Sequence, residues 1–285
     1  MEFEGKVAVI TGAASGIGRS VALALARLGT DIVIADIDDT RMREVRNEIE
    51  SISRRVLAVH CDVSRDADVH ELAERAISHM GAVDILINNA GVGMFGFMDK
   101  MSMTDWRWLL DINLFGVIRG VRAFLPHLME RGSGYIVNTS SISGLLPDSG
   151  PRSLEVLNLP YVTSKFGLWG FSETLLAYVK PRGIMVSLLC PGGVATSLEG
   201  HVRFTGLEPG QKGDWASMKK PFHLPDPDEM GDLGDIMEPD EVARILIKAM
   251  KERRFLVITH PVFRQRLLER GFDIDKLEKH IQDIY

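Results

Sequence analysis

The sequence predicts one α/β domain, built as a doubly wound, parallel seven-stranded sheet with helices on both faces. Three observations predict it. Short β-branched runs alternate with longer stretches whose apolar residues recur at helical spacing. The first run ends in a glycine-rich turn that leads straight into an apolar helix. The length, 285 residues, buries the core of one such domain without calling for a second.

Taken in order, the strands fall at Lys6 to Ile10, Ile32 to Ala35, Val56 to His60, Ile85 to Ile87, Tyr135 to Asn138, Met185 to Leu189 and Phe255 to Ile258. Helices follow them, clearest over Ser15 to Leu28 and Asp66 to His79, where apolar residues line one face. Two further segments stand apart. Ser197 to Pro239 mixes Pro209, Pro221, Pro225, Pro227 and Pro239 with Phe204, Trp215, Met218, Phe222 and Met230, and is expected to be a lid. Pro261 to Tyr285 spaces Phe263, Leu267, Leu268, Ile274, Leu277, Ile281 and Ile284 as two short amphipathic helices would, an extension of the domain.

Composition narrows the function. Lys+Arg 33 against Asp+Glu 39 leaves a formal charge of -6, so there is no general electrostatic case for nucleic acid or an anionic membrane surface, and a small-molecule substrate is the better expectation. Cys61 and Cys190 each end an apolar run, where a reduced, buried thiol belongs. The eight histidines are scattered without metal-ligand spacing, so no metal is expected. No apolar run approaches the roughly 18 residues of a membrane span, and no basic, then apolar leader opens the chain, which points to the cytoplasm.

In sheets of this kind ligands bind beyond the carboxyl ends of the strands, and chemistry-bearing residues gather there. The turn Thr11-Gly12-Ala13-Ala14-Ser15-Gly16-Ile17-Gly18 has the form of a phosphate cradle: glycine lets the backbone approach a pyrophosphate, and the helix N-terminus supplies N–H groups and partial positive charge. An ordinary strand-to-helix turn has the same outline, so its neighbours decide. Asp36 ends the second strand about 20 residues on, where a carboxylate can accept from the adenosine ribose hydroxyls and repel a 2′-phosphate. Ile37 and Asp38 follow it, and the turn carries Ser15 rather than a basic residue, so NAD is favoured over NADP. The other use for Asp36 is to cap the next helix, a task for which Asp38 and Asp39 are equally placed.

The ordered set of the glycine turn, Asp62 in Cys61-Asp62-Val63-Ser64, Asn88-Asn89-Ala90-Gly91, Asn113, Ser140-Ser141, Tyr161-Val162-Thr163-Ser164-Lys165 and Pro191-Gly192-Gly193-Val194 resembles the short-chain dehydrogenase/reductase family over roughly residues 3 to 200. The resemblance implies a Rossmann domain whose cofactor lies on Gly12, Ser15, Gly16, Ile17 and Gly18, with Asp36 and Ile37 at its ribose and Asp62 and Val63 at its adenine. It further implies packing of the cofactor loop by Asn89, Ala90 and Gly91, and contact with the nicotinamide half by Pro191, Gly192, Val194 and Thr196. Relatives are commonly tetramers or dimers, so a homo-oligomer is expected.

Tyr161 and Lys165, at i and i+4 of a predicted helix, share one face. A phenol ionises near pH 10, and a neighbouring ammonium together with an oxidised nicotinamide's charge favours its phenolate. Tyr161 then exchanges a proton with the substrate oxygen as hydride moves, and Lys165 tunes it and holds the nicotinamide ribose. Ser141 is placed to hydrogen-bond the reacting oxygen, chosen over Ser140 because family members with a serine pair use the second. Asn113, in the long helix after Trp106, resembles the family's Asn that holds a water leading protons from Lys165 to solvent; taken alone it marks only a local bend.

Two departures from the family pattern bear on substrate. The stretch between Ser141 and Tyr161 is extended, by residues that include Asp148-Ser149-Gly150-Pro151-Arg152 and Leu154 to Pro160, and borders the site. The apolar lid suggests a bulky or hydrophobic secondary alcohol, the alternative being that its aromatics pack on the core or a neighbouring subunit. Two rivals to an NAD-linked alcohol or ketone oxidoreductase are weighed. A 3-oxoacyl-thioester reductase needs a basic docking patch, for which Arg119, Arg122, Arg131 and Arg152 are candidates. A non-catalytic NAD(H)-binding sensor is indicated by loss of Tyr161 or Lys165, and both are present.

Overall fold

Every residue of the first strand is buried, alternately against one helix layer and the other, and this sets the architecture. In the computed structural model, which describes residues 2–146, 158–196, 202–205 and 236–270, Ala8 and Ile10 of β1 (Val7–Thr11) face one helix layer while Val7 and Val9 face the other. Neighbouring strands repeat the division, with Ile32, Ile34, Ile85 and Ile87 on the first side and Val33, Ala35 and Leu86 on the second. A strand apolar on both faces is stable only between two covering layers, which is why helices lie on each side.

After β1 the chain runs through α1 (Gly16–Arg27), β2 (Asp31–Asp36), α2 (Asp39–Ser51), β3 (Val56–His60), α3 (Asp66–Met80), β4 (Ile85–Asn88) and β5 (Gly93–Gly96). Next come α4 (Met103–Leu110), a π-helical turn (Asp111–Phe115), α5 (Gly116–Arg131) and β6 (Gly134–Thr139). A 3₁₀ turn (Ile142–Gly144), α6 (Leu159–Val179), β7 (Ile184–Cys190), β8 (Val202–Thr205), α7 (Pro239–Lys251), β9 (Leu256–Ile258) and α8 (Pro261–Arg270) complete the described chain. Seven strands pair in parallel in the order β3-β2-β1-β4-β6-β7-β9.

Strand order reverses between β1 and β4, because the chain first winds outward through β2 and β3 and then returns to the other side of β1. The loops leaving those two strands therefore diverge and open a crevice at their carboxyl ends. All seven expected strands are present, with edges shifted by a residue or so. The expected α/β domain is thus the one observed.

β5 and β8 were not expected. They form a separate two-stranded parallel pair that joins Gly93–Gly96 to Val202–Thr205 of the expected lid, with Phe95 stacked on Phe204 at 6.0 Å. Residues 197–201 and 206–235 of that lid, residues 147–157 of the extended stretch before Tyr161 and residues 271–285 lie outside the described residues, while at the lid's far end Met237 bonds to the Gly193 and Ala195 backbone. Among the described residues no helix is long and apolar enough to cross a membrane.

Candidate active site

The crevice is stitched before it is lined. The Thr11 hydroxyl accepts from the backbone N–H groups of Asn89 (3.0 Å) and Ala90 (3.2 Å), and Asn89 Nδ2 donates to the carbonyls of Thr11 and Gly12. The turns after β1 and β4 are thereby locked against each other. The lock leaves no room for side chains: a Cβ on Gly12 would stand 2.7 Å from Ala90 Cα, and one on Gly18 would stand 2.1 Å from the Gly12 carbonyl oxygen. α1 starts at Gly16 with no acidic residue in its first turn and no side-chain cap from Ser15, so its positive end faces the crevice. The result is a cleft of about 260 Å³ with a backbone cradle suited to a pyrophosphate.

At one end lies Asp36. Its Oδ2 accepts from the Ala14 N–H at 3.0 Å and its Oδ1 from the N–H groups of Ile37 and Asp38 at 2.8 and 3.1 Å. The carboxylate is thus aimed into the cleft by the glycine turn. Capping of α2 falls to Asp38, which accepts from Thr40 and Arg41, and this settles the alternative use of Asp36. Asp62 accepts from the Ser64 backbone and hydroxyl, at 2.9 and 2.7 Å, and lines the cleft with Val63. Buried Cys61 beside them has its thiol pushed up to about 12 by burial and then by Asp68, Asp62, Asp36 and Glu71.

At the other end Tyr161, Ser141 and Lys165 converge. Pro160 in the first turn of α6 fits a helix start, where its missing N–H costs nothing, and the i, i+4 spacing then puts Tyr161 and Lys165 on one face, the ammonium 5.4 Å from the phenol ring centre. Tyr161 is hydrogen-bonded to the Ser141 side chain. Lys165 is buried and donates to the Thr139 carbonyl at 3.0 Å. Ser140 points the other way, its hydroxyl giving 2.9 Å to the Lys165 carbonyl, which leaves Ser141 as the serine beside the phenol.

The phenolate was expected to be favoured by the ammonium together with an oxidised nicotinamide's charge; among the protein groups, burial raises the Tyr161 hydroxyl, the Ser141 hydrogen bond lowers it by less, and Cys190 raises it further. Burial also brings Lys165 down to about 8, with only Cys190 opposing. Lys165 is buried and Tyr161 half-buried, and desolvation disfavours a charge on either. Burial thus favours the neutral phenol.

Asn113 sits behind the cleft wall in the π-helical turn rather than in a regular helix, fully buried. Its Oδ1 accepts from the Val92 N–H and its Nδ2 donates to the Val92 carbonyl, each at 2.9 Å. The amide thus fixes the strand-end backbone beside Gly91, and one N–H and one oxygen lone pair of the side chain remain beyond these two bonds. A wider turn of this kind inside a helix is frequent at functional sites.

Of the residues singled out from sequence, all but Gly18 and Asn113 line this cleft, and those two sit directly behind its wall. Sequence reasoning missed Arg41, Thr139, Val92 and Ile112. Arg41 lies one turn into α2, with its Nε 3.5 Å from Asp38 Oδ2, and only the helix start at Asp39 brings it over the cleft. Thr139 matters through its carbonyl, which has no sequence signature.

A family model described as short chain dehydrogenase matches residues 6–205. Among curated proteins the chain is 35% identical over 198 residues to SadH of Mycobacterium tuberculosis, named as an oxidoreductase, covering 69% of each. A short-chain dehydrogenase/reductase structure from Burkholderia phymatum, in complex with NAD, is 34% identical with TM-score 0.82 and 96% of each chain covered. An alcohol dehydrogenase structure from the archaeon Thermococcus sibiricus, complexed with 5-hydroxy-NADP, is 26% identical with TM-score 0.71, covering 90% of this chain and 97% of that one.

Proposed function

The chain belongs to the short-chain dehydrogenase/reductase family of oxidoreductases, and we propose that within it this protein moves a hydride between NAD and a bulky or hydrophobic secondary alcohol or ketone, with Tyr161 as acid/base. One observation carries the reading: a single cleft has a glycine cradle at its middle, an inward carboxylate at one end and the Tyr161, Ser141 and Lys165 group at the other. The NAD-bound relative, at 34% identity over nearly the whole chain, supports the same use of the cleft.

The residues present fit a dinucleotide. Gly12, Ser15, Gly16 and Ile17 would hold the pyrophosphate, Asp36 and Ile37 the adenosine ribose, Asp62 and Val63 the adenine, and Pro191, Gly192, Val194 and Thr196 the nicotinamide half, with Asn89 to Gly91 packing the cofactor loop. When bound, the nicotinamide accepts or returns the hydride. Ser141 donates to the substrate oxygen and orients it toward Tyr161. For ketone reduction the raised Tyr161 hydroxyl is already in the proton-donating form. For alcohol oxidation it must lose its proton first, which the Lys165 ammonium favours once further positive charge is close. Asn113 keeps the Val92 backbone, and so the wall beside Lys165, in place.

Asp36 supports NAD over NADP, since a 2′-phosphate would meet a carboxylate held by three N–H groups. The thioester rival loses two of its docking arginines: Arg119 is bound by Asp66 and Asp111, and Arg131 by Asp84. The sensor reading is disfavoured because Tyr161 and Ser141 are already hydrogen-bonded beside the Lys165 ammonium. A homo-oligomer is part of the proposal, with Phe115 and Phe166 exposed on the π turn and α6 as apolar surface for a second copy. Light scattering tests that assembly.

The test is NADH formation at fixed protein over secondary alcohols, steroids, sugars and hydroxyacyl thioesters, with NADP in parallel. Turnover of a bulky alcohol with NAD, lost in Tyr161→Phe, supports the proposal. Turnover confined to thioesters promotes the rival, and tight NADH binding with silence across the panel promotes the sensor.

A further inference from the structure

The Pro191-Gly192 corner rests on a buried polar pair that the catalytic scheme does not use. β9 ends at Ile258, and Thr259 and His260, each 4% exposed, lie beneath the corner just before α8. The Gly192 N–H is 3.2 Å from Thr259 Oγ1 and 3.3 Å from His260 Nδ1, and those two atoms are 2.7 Å apart. One set of protons satisfies all three: Gly192 donates to the threonine oxygen, and the threonine hydroxyl donates to an unprotonated Nδ1. A Cβ on residue 192 would stand 2.7 Å from His260 Nδ1 and 2.7 Å from Phe263 Cε2, so the corner sits flat on two rings with no space for a side chain. On its other side Gly192 lines the cleft together with Tyr161, Ser141 and Lys165.

We propose that His260, acting through Thr259, is a positioning residue that fixes the Gly192 backbone against the nicotinamide half of the cofactor. The proposal rests on the dinucleotide reading of the cleft. Hydride transfer tolerates little misplacement, and a loop is rigid enough to set that distance only when its own N–H groups are pinned. The imidazole supplies a fixed acceptor for the threonine hydroxyl, and the buried Phe263 ring, 5.8 Å away, supports the imidazole. The start of the C-terminal segment is therefore the back wall of the reacting end of the cleft.

The experiment titrates NADH, and ADP-ribose, which shares its adenosine diphosphate ribose but lacks the nicotinamide, into the full chain and its variants by calorimetry. His260→Leu weakens NADH about tenfold while leaving ADP-ribose within about twofold, the loss expected when a buried hydrogen-bond partner is removed at one end of a ligand. His260→Asn, whose Oδ1 can stand where Nδ1 stands, restores most of the NADH affinity. Should His260→Leu not fold, Thr259→Val keeps the shape, removes the hydroxyl and carries the same expectation. Equal losses of both ligands, or no loss of either, overturn the proposal. A native chain that binds ADP-ribose as tightly as NADH overturns it too, and one that binds neither overturns the dinucleotide reading along with it.

Discussion

Lys165 makes the stability of this fold depend on pH in a direction opposite to that of its thiols. Its ammonium is brought from 10.5 down to about 8 by burial, while in the unfolded chain it titrates at the ordinary value. A group depressed in this way leaves the unfolded state binding more protons between the two values, so stability rises with pH through that window and is lost as pH falls toward 8 and below. With 1.36 kcal/mol per pH unit at full slope, and rounding at the lower end, the gain from pH 7 to 9.5 is about 2 kcal/mol. Cys61, pushed up to about 12, and Cys190, also raised, work the other way above the unfolded thiol value near 8.5, because the native state then keeps the protons. The raised Tyr161 joins them above about pH 10, so measurements stop short of that. The perturbation that isolates the lysine is Lys165→Met, which keeps the stem's volume and removes the titration. Urea unfolding of both proteins without nucleotide, from pH 7 to 9.5, subtracts the thiols. The native chain should gain about 2 kcal/mol on the variant over that range. Parallel profiles, within about 0.5 kcal/mol, would refute the buried ammonium as the source.

Ser140 and Ser141 should separate cleanly. Ser140→Ala removes a buried bond to the Lys165 carbonyl and should cost about 1 kcal/mol of stability by urea unfolding with kcat little changed, whereas Ser141→Ala should lower kcat about 100-fold with stability nearly intact. Asp36→Ala should weaken NAD and narrow its advantage over NADP in a parallel titration, and an unchanged preference would remove Asp36 from the ribose role. Gly18→Ala should abolish NADH binding in calorimetry, since its Cβ would meet the Gly12 carbonyl oxygen at 2.1 Å. Native Cys61 and Cys190 should resist iodoacetamide at pH 8 and react on unfolding, because burial raises both thiols.

The layers of the fold were legible because alternation and helical spacing are local. Ala8 and Ile10 against Val7 and Val9 declare a strand buried on both faces, and the glycine turn after them marks the strand end where a ligand sits. The β5–β8 pair was not legible, since Gly93-Met94-Phe95-Gly96 has the outline of a turn and its partner is about a hundred residues away. Asn113 could be named but not understood from sequence. Its two bonds to Val92 depend on a π-helical turn that no residue pattern specifies.

Sequence by itself determined the sheet, the cradle, the carboxylate at the end of β2 and the pairing of Tyr161 with Lys165, because each follows from periodicity or from spacing within one element. Tertiary structure alone decided that Asp36 is left to face the cleft because Asp38 caps α2, and that a bond to the Lys165 carbonyl is what turns Ser140 away from the phenol. It alone decided that burial holds the Tyr161 proton on, and that His260 stands behind Gly192. The physical reason is common to all four. Each is set by which distant backbone claims a polar group and by how much water is excluded there, and neither quantity is written in the local order of residues.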